Sequence, residues 1–430
     1  MNLQQALDIV STPLRVRGYS DNALVANVAK HASHGGPHLS TVPALHGDRS
    51  IRPADVLLRL ASATRPRYQA ELYDVHAHWG LLRYLGLFAD GGGGRLVLSA
   101  AGRRIVSNQR RVTSEELGIG FAVLLAEEWI VDWRHDGSTV RTVDVDVALA
   151  SGAIAAAEVR LLVHKTGVHR PDYLVVAESV SRPGAFSVAL LECKGTKSRP
   201  NAYVQLGRAG AQLDSIMVGG RAPRGLAVST VAANESITFH VLQHQPDASA
   251  RMERGEVATQ VRSSTPDATD GDLEVDLSQV FLEDLPQVDL SDGGPVDPRH
   301  MIATALRGSW AALAELAGND RALRRWAPTV MRARINRTDI DRPRRERVDV
   351  DGVSIVGVSN AISLPGGQLK VVLGVEGEVD EALAYGTSID VMNAQQRIFR
   401  RELKYLHRER RSASVVSIAD DGSALALMPQ

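Results

Sequence analysis

The chain has 430 residues, of which 44% are hydrophobic and 23% are charged, and its formal net charge is −1. This composition excludes an intrinsically disordered chain, and the length is sufficient for about two or three domains. The single cysteine excludes an internal disulfide framework and a cysteine-based zinc cluster. Because there is no secretory signal pattern and no apolar run long enough to cross a membrane, we expect a cytoplasmic protein without a membrane partner.

Residues 1–110 are predicted to form a mainly helical domain, with helices over 54–63 and 68–88. A winged-helix module is one interpretation of its second half, in which the tract Gly91–Gly94 leads into a short strand and an arginine-bearing turn. Basic side chains of such modules contact the nucleic-acid backbone. The candidate phosphate contacts are Arg103, Arg104, Arg110 and Arg111. A helical domain that binds only protein is the alternative.

An amphipathic helix is predicted from Thr113 to Glu128, followed by a short strand from Trp129 to Arg134. Thr113 and Glu116 have the spacing of a capping box, which gives Glu116 a purely structural explanation.

Two apolar, β-branched runs come next, Arg170–Glu178 and Phe186–Cys193, with a turn signal over Ser181–Gly184 between them. The pattern predicts a β-hairpin that brings Asp172 within a residue or two of the position opposite Glu192. Directly opposed side chains are about 5 Å apart at Cβ, a separation that one cation can bridge.

The second strand of this hairpin ends in Glu192-Cys193-Lys194. Strand alternation places Glu192 and Lys194 on one face and Cys193 on the other, where we expect a buried hydrophobe and not a nucleophile. Divalent ions such as Mg²⁺ take one or two carboxylates together with substrate phosphate, and a lysine beside them stabilises the transition state. The structural alternative is that Asp172 caps a strand while Glu192 and Lys194 form an exposed ion pair of little energetic value.

Pro171-Asp172 and Glu192-Cys193-Lys194 resemble the signature of the PD-(D/E)xK nuclease superfamily, which includes many restriction endonucleases and archaeal Holliday-junction resolvases. The order helix, strand, PD strand, E-x-K strand, helix, strand is also similar, over residues 113–245. The resemblance implies a restriction-endonuclease-like α/β core with a mixed sheet in residues 111–245. It further implies that Asp172 and Glu192 bind Mg²⁺, for which Mn²⁺ substitutes, and that Lys194 positions the attacking water or the phosphate.

The resemblance implies two additional site residues. Many members carry a glutamate early in the helix before the core, as a metal or water contact, and Glu116 is the best positional match, with Glu115 next. Some branches place a glutamine on the helix after the E-x-K strand, predicted here over Asn201–Val218. Gln205 is favoured over Gln212, which shares its helical face. The alternative for each glutamine is an ordinary surface amide with no role at the site.

Residues 246–298 are predicted to form an acidic linker. From Ser263 to Val296 the chain has no lysine or arginine, while nine aspartates and glutamates accumulate among prolines and glycines. A solvated connector is one interpretation, and a DNA-mimicking cover for a basic cleft is the other.

Residues 299–430 are predicted to form an α+β domain. Its elements are helices over Met301–Ala317 and Arg321–Arg334, strands over Val353–Val358 and Gln368–Val375, a basic helix over Asn393–Arg411 and a hairpin about Asp420–Gly422. The basic helix is either a nucleic-acid contact or a solvated face with internal ion pairs. Homodimerisation or partner binding through this domain, target sensing and DNA clamping are all open.

Together these features lead us to expect a multidomain α/β protein whose middle domain is a metal-dependent endonuclease. The expected substrate is nucleic acid, with DNA favoured over RNA, and a role in restriction or antiphage defence follows by analogy alone. One alternative is a non-catalytic DNA-binding or regulatory protein that retains a nuclease-like scaffold. The other is a nuclease gated by an effector.

Overall fold

The computed structural model describes residues 1–32, 39–64, 78, 81–134, 138–150, 163–164, 167–168, 170–216, 218, 222–245, 273–278, 282, 298–328, 345–364, 367–405 and 413–430. The architecture is mixed α/β, as the sequence predicts, with one large mixed β-sheet and a second, antiparallel sheet. None of the helices in the described part of the chain is both long and apolar enough to span a membrane.

The described strands and helices are numbered in chain order. The strands are β1 (Leu14–Tyr19), β2 (Leu39–Ser40), β3 (Gly47–Ile51), β4 (Phe88–Asp90), β5 (Leu96–Leu98), β6 (Ser138–Asp144), β7 (Val163–His164), β8 (Gly167–Val168), β9 (Tyr173–Ser179), β10 (Ala185–Thr196), β11 (Arg224–Ala232), β12 (Ile237–His244), β13 (Leu273–Asp276), β14 (Arg345–Val350), β15 (Val353–Leu364), β16 (Gly367–Glu376), β17 (Val415–Ile418) and β18 (Ser423–Pro429). The helices are α1 (Leu3–Ser11), α2 (Asn22–Ala29), α3 (Pro53–Ala63), α4 (Ala100–Arg103), α5 (Ser107–Arg134), α6 (Val145–Ala150), α7 (Arg199–Leu213), α8 (Pro298–Leu316), α9 (Asp320–Trp326), α10 (Gly377–Tyr385) and α11 (Ser388–Tyr405).

The main path of the large sheet runs in the order β3-β1-β12-β11-β10-β9-β6. Strands β6, β9 and β10 pair antiparallel, and β10 pairs in parallel with β11 after the chain has crossed over through α7. All residues of β9 are buried, as expected for a strand covered on both faces. The central strands therefore form the core of the sheet, and their ends carry the polar residues discussed below.

Helix α5 lies very close to the end of β10. A Cβ atom on Gly118 of α5 would be 2.6 Å from the carbonyl oxygen of Lys194, and one on Gly195 would be 1.7 Å from the carbonyl oxygen of Ser114. Only glycine fits at either position, because the two backbones are in direct contact. This contact fixes the helix relative to the residues that follow Glu192.

The predicted helix over 54–63 is confirmed as α3, but the first 110 residues do not form a separate helical domain. Strand β1 pairs in parallel with β12, and β3 pairs antiparallel with β1, so both extend the large sheet. The boundary predicted at residue 110 is therefore corrected. The predicted helix over 68–88 lies largely outside the described residues.

The strand predicted over Trp129–Arg134 is wrong, because α5 continues to Arg134. Trp129 and Trp133 stack with ring centroids 5.5 Å apart, at the spacing of one helical turn. Their high strand propensity is overridden by packing, since Trp129 and Ile130 are buried against the core. The strand that precedes β9 in the sheet is instead β6.

Part of the predicted acidic linker is a strand. Residues 273–276 form β13, which pairs antiparallel with β10 in a register that joins Phe186 to Val275. Val275 and Leu277 are buried, whereas Glu274 is half-buried and Asp276 is exposed. This alternation with a period of two residues is typical of a strand with one covered face. The rest of residues 246–298, apart from 273–278, 282 and the start of α8, lies outside the described residues.

The C-terminal region contains a five-stranded antiparallel sheet in the order β14-β15-β16-β18-β17. The helix predicted over Met301–Ala317 is confirmed as α8, and the terminal hairpin is confirmed as β17–β18. The helix predicted over Arg321–Arg334 ends at Trp326. The basic helix begins at Ser388 and is described as far as Tyr405.

A buried polar network joins the large sheet to α11. Arg141 of β6 donates from Nη2 to Glu178 of β9 over 3.1 Å and to Gln395 of α11 over 2.6 Å. Gln396 donates to the other oxygen of Glu178 over 3.3 Å. Since removing one partner of a buried ion pair typically costs about 3–5 kcal/mol, this network ties the C-terminal region to the strands of the central sheet.

The backbone contact between α5 and β10 predicts opposite effects for two mid-helix glycines. Gly118→Ala should lower the free energy of unfolding by about 1–3 kcal/mol, because the new methyl group meets the Lys194 carbonyl. Gly308→Ala in α8 is the matched control, because its Cβ would have no neighbour within 4 Å among the described residues. It should stabilise by up to about 1 kcal/mol through helix propensity. Equal effects in urea unfolding would show that the α5–β10 contact is not tight.

Candidate functional site

The hairpin of β9 and β10 brings Asp172 and Glu192 together. The last pair in its register joins Tyr173 to Leu191, so the next position places Asp172 opposite Glu192. The backbone N–H of Cys193 donates to Oδ2 of Asp172 over 2.8 Å, which holds the carboxylate against the end of β10. The predicted proximity of the two acidic residues is confirmed.

Lys194 completes the group. Its ammonium is in direct contact with Oε1 of Glu192 and lies 4.0 Å from Oδ2 of Asp172. The Glu192 side chain is 0% exposed, whereas those of Lys194 and Asp172 are 25% and 38% exposed. The Glu192 carboxylate accepts from the Lys194 ammonium and from the backbone N–H of Asp172. The exposed ion pair considered from the sequence is therefore wrong, because Glu192 is fully buried.

Burial controls the protonation of these groups. It raises the pKa of Glu192 to about 8, and the negative charge of Asp172 adds to the shift while Lys194 opposes it. Burial also raises the pKa of Asp172, while the positive charge of Lys194 lowers it by a smaller amount. For Lys194, burial lowers the pKa, but the carboxylates of Glu192 and Asp172 outweigh it and raise the pKa above its ordinary value. Lys194 is therefore a permanent cation at neutral pH.

These residues border a cavity of about 470 Å³ at the strand ends. Its lining is mostly polar or charged and consists of Glu115, Ile119, Asp144, Asp146, Arg170, Pro171, Asp172, Tyr173, Cys193, Lys194, Gly195 and Gln205. The cavity thus gathers four carboxylates with one lysine and one arginine, while the buried Glu192 is not part of the lining and contacts Lys194.

Sequence reasoning missed two of these carboxylates, Asp144 and Asp146. Asp144 ends β6 opposite Tyr173, and the N–H of Val145 donates to the carbonyl of Asp172 over 3.1 Å. The charge of Asp144 contributes to the raised pKa of Asp172. Asp146 forms an ion pair with Arg170 at 2.7 Å. One signal in the sequence could have indicated them: Asp144 and Asp146 lie at the end of a run in which polar and apolar residues alternate. The composition of residues 129–134 favours that segment as the strand before β9, so the run is not assigned from the sequence.

Glu116 does not lie on the cavity. Its carboxylate contacts the guanidinium of Arg83 and accepts a hydrogen bond from the hydroxyl of Tyr84. The neighbouring Glu115 lines the cavity instead. Because α5 begins at Ser107, residues 113–116 are well inside the helix and do not form a capping box at its start. The placement of Glu116 at the site is corrected in favour of Glu115.

Gln205 of α7 lies on the cavity, as predicted. Its amide nitrogen donates to the carbonyl of Gly195 over 3.2 Å, and its oxygen accepts from the hydroxyl of Ser229 over 2.9 Å. Gln212 instead donates to the carbonyl of Arg170 over 3.0 Å, which connects α7 to the segment before Asp172.

The four candidate phosphate-binding arginines are distributed over α4, α5 and the turn between them. Arg103, Arg104 and Arg111 are exposed and Arg110 is half-buried. Arg110 donates to the side chain of Asn234, and Arg111 lies 3.8 Å from Glu115, which borders the cavity. Arg110 and Arg111 are therefore next to the site, one helical turn from its lining.

The donor set combines carboxylate oxygens, which hard cations take as ligands, with an ammonium, which binds anions. Within the described part of the chain, no three histidine, cysteine, aspartate or glutamate side chains are close enough to form a metal cage. Asp172 and Glu192 provide carboxylate oxygens, while Lys194 provides an ammonium. No protein-family model, curated protein or solved structure matches the chain, so its interpretation rests on these residues.

The raised pKa of Glu192 predicts a stability that falls with pH in metal-free buffer. Below its ordinary pKa of 4.5 Glu192 is protonated in both the folded and the unfolded chain, but between 4.5 and about 8 only the unfolded chain has released the proton. Unfolding therefore becomes easier as pH rises through this window. Glu192→Gln cannot ionise at this position and is the reference. Relative to it, the free energy of unfolding of the wild type should fall by about 2–4 kcal/mol between pH 5 and pH 8 in urea titrations with EDTA. Parallel curves for the two proteins would mean that Glu192 has an ordinary pKa.

Proposed function

We propose that this protein is a metal-dependent nuclease that hydrolyses phosphodiester bonds, with DNA favoured over RNA as the substrate. The observation that carries the proposal is the fully buried Glu192 carboxylate, opposite Asp172 and in contact with Lys194 at the edge of a polar cavity. A carboxylate that is fully removed from water is costly even when an ammonium contacts it, and such groups are concentrated at functional sites.

The topology supports the same proposal. Helix α5, strands β6, β9 and β10, helix α7 and strand β11 occur in the order expected for a PD-(D/E)xK core, with α6 and the short strands β7 and β8 inserted between β6 and β9. Their sheet has three antiparallel strands followed by one parallel strand. Asp172 directly precedes β9, and Glu192 and Lys194 lie where β10 continues beside β11 past the end of its pairing with β9. We therefore propose the restriction-endonuclease-like core for residues 107–232.

The residues fit Mg²⁺ or Mn²⁺. Magnesium is commonly held by one or two carboxylates together with waters and substrate phosphate, so Asp172 and Glu192 suffice without a third protein ligand. The Glu192 carboxylate, whose charged form is strongly disfavoured by burial, would be stabilised by a divalent cation beside it. When bound, the ion would supply Lewis-acid activation of water and neutralise charge on the phosphate. Asp144 and Glu115 are near enough to the cavity to orient its waters.

The protein's own groups have separate tasks in this reaction. Hydrolysis adds water across one P–O bond, so negative charge develops on the phosphate oxygens and on the leaving oxygen. Lys194 keeps its proton because its pKa is raised, and its ammonium can donate to a phosphate oxygen or to the attacking water. Asp172 is held in place by the N–H of Cys193. Cation binding competes with the proton on Glu192, so the affinity for the ion should rise with pH up to about 8.

Gating of the nuclease is a second candidate function, favoured by one observation. Gln395 and Gln396 of α11 hydrogen-bond to Arg141 and Glu178, which lie on the strands adjoining Asp144 and Asp172. A ligand or partner that shifted α11 would act directly on these strands. A non-catalytic scaffold has no comparable support, because Asp172 and Lys194 line one cavity and the buried Glu192 contacts Lys194.

Three conservative substitutions test the site. Asp172→Asn, Glu192→Gln and Lys194→Met should each reduce cleavage in Mg²⁺ by at least about 10²-fold, because the first two each remove a ligand of the cation and the third removes the ammonium beside the reacting phosphate. In calorimetric titrations Mn²⁺ affinity should fall for the two carboxylate variants. It should persist or increase for Lys194→Met, which loses a positive charge beside the ion.

Lys370→Met is the matched control for Lys194→Met. Lys370 is 22% exposed and pairs with Glu346 at 2.7 Å, so this variant removes a similar lysine–glutamate pair far along the chain from the site. It should retain full cleavage. If all three site variants were merely less stable, with no change in cleavage or Mn²⁺ binding, the residues would be structural and the proposal would fail.

The arginines of α4, of the start of α5 and of the turn between them should contribute to binding and not to chemistry. Arg103→Ala/Arg104→Ala and Arg110→Ala/Arg111→Ala should each flatten the log–log dependence of DNA affinity on salt, by about 0.9 for every phosphate that is no longer neutralised. Cleavage at saturating DNA should persist in both double variants. Arg347→Ala, on the other sheet and 50% exposed, is the control and should leave the slope unchanged. An unchanged slope in the two double variants would assign this surface to protein contacts.

A further inference from the structure

We propose that Ser229 is a positioning residue that locks the amide of Gln205 so that its nitrogen faces the cavity side of β10. In this orientation Gln205 is a dedicated hydrogen-bond donor to an anionic oxygen of the substrate phosphate. The inference rests on the proposed nuclease function and adds to it a residue, Ser229, that does not line the cavity.

The orientation of the amide follows from its two partners. The carbonyl oxygen of Gly195 can only accept, so the group 3.2 Å from it must be the Gln205 nitrogen. The Gln205 oxygen then faces Ser229, whose hydroxyl donates to it over 2.9 Å. A flipped amide would place two acceptors together at Gly195. The two contacts therefore determine which end of the side chain is a donor.

Ser229 is well placed for this task. It lies on β11 directly opposite Lys194 of β10 in the parallel register, so its side chain emerges on the face that carries Lys194 and Glu192. Its side chain is fully buried, so water does not compete with Gln205 for the hydroxyl. The serine thus connects the amide on α7 to the strand that carries the site.

The locked amide gives the cavity a second donor beside Lys194. A primary amide has two N–H groups, and only one of them is needed for the Gly195 carbonyl. The other remains on a residue that lines the cavity. An ammonium and an amide N–H that line one cavity are suited to two oxygens of one phosphate, whereas the carboxylates of the same lining repel an anion unless a cation is present.

A double-mutant cycle tests this arrangement. Ser229→Ala should lower kcat/KM for DNA about fivefold, the value of one neutral hydrogen bond, and Gln205→Ala should lower it by more. The double variant should match Gln205→Ala within about twofold, because Ser229 acts only through Gln205. Gln205→Glu, which cannot donate, should be no more active than Gln205→Ala. Affinity for a DNA oligonucleotide, measured with Ca²⁺ in place of Mg²⁺ so that a cation is present, should follow the same order.

Thr230→Val is the matched control on the same strand. Thr230 is also fully buried, but its hydroxyl has no hydrogen-bond partner among the described residues, so its removal should leave cleavage unchanged. Additive losses in the double variant, or activity retained by Gln205→Glu, would overturn the role of Ser229. The nuclease proposal would still stand in that case, provided that the wild type cleaves DNA. A wild type that neither binds nor cleaves nucleic acid would overturn both.

Discussion

The burial of one carboxylate, that of Glu192, is the constraint on which the account of this protein depends. Removing a charged carboxylate from water costs several kcal/mol unless hydrogen bonds and an opposite charge offset it. Here the offset is incomplete, because burial and the Asp172 charge raise the pKa of Glu192 by more than the Lys194 ammonium and the Asp172 backbone N–H lower it. A hydrophobic residue in this place would often be as stable or more stable, so stability alone does not explain Glu192. A bound cation would explain it.

Neighbouring structure is arranged around that carboxylate. The contact of Gly118 with the end of β10 places α5, and with it Glu115, over the cavity. The N–H of Cys193 orients Asp172, and the pair of Gln205 with Ser229 borders the other side. Strand β6 brings Asp144 beside Asp172 and, three residues earlier, carries Arg141 into the network with α11. The site and the C-terminal region thus share a strand, which is why gating is a reasonable second hypothesis.

The site was predictable where it depends on local sequence and unpredictable where it depends on packing. Asp172, Glu192 and Lys194 lie on one hairpin, so turn signals and strand alternation were enough to bring them together. The choice between Glu115 and Glu116 depends on the rotation of α5, which is set by the distant contact of Gly118 with β10. Asp144 was missed because the long helix α5 occupies residues whose composition favours a strand. Strand β1 pairs with β12, more than two hundred residues away in the chain, and no local pattern shows such a partner.

A cleavage assay of the full-length wild type tests the central claim most directly. Single- and double-stranded DNA and RNA would each be incubated with Mg²⁺, with Mn²⁺ and with EDTA, and the products separated by length. The account predicts hydrolysis of at least one nucleic acid, with DNA preferred, in either metal and none in EDTA. Intact substrates under every condition, together with no Mn²⁺ binding at Asp172 and Glu192, would contradict it.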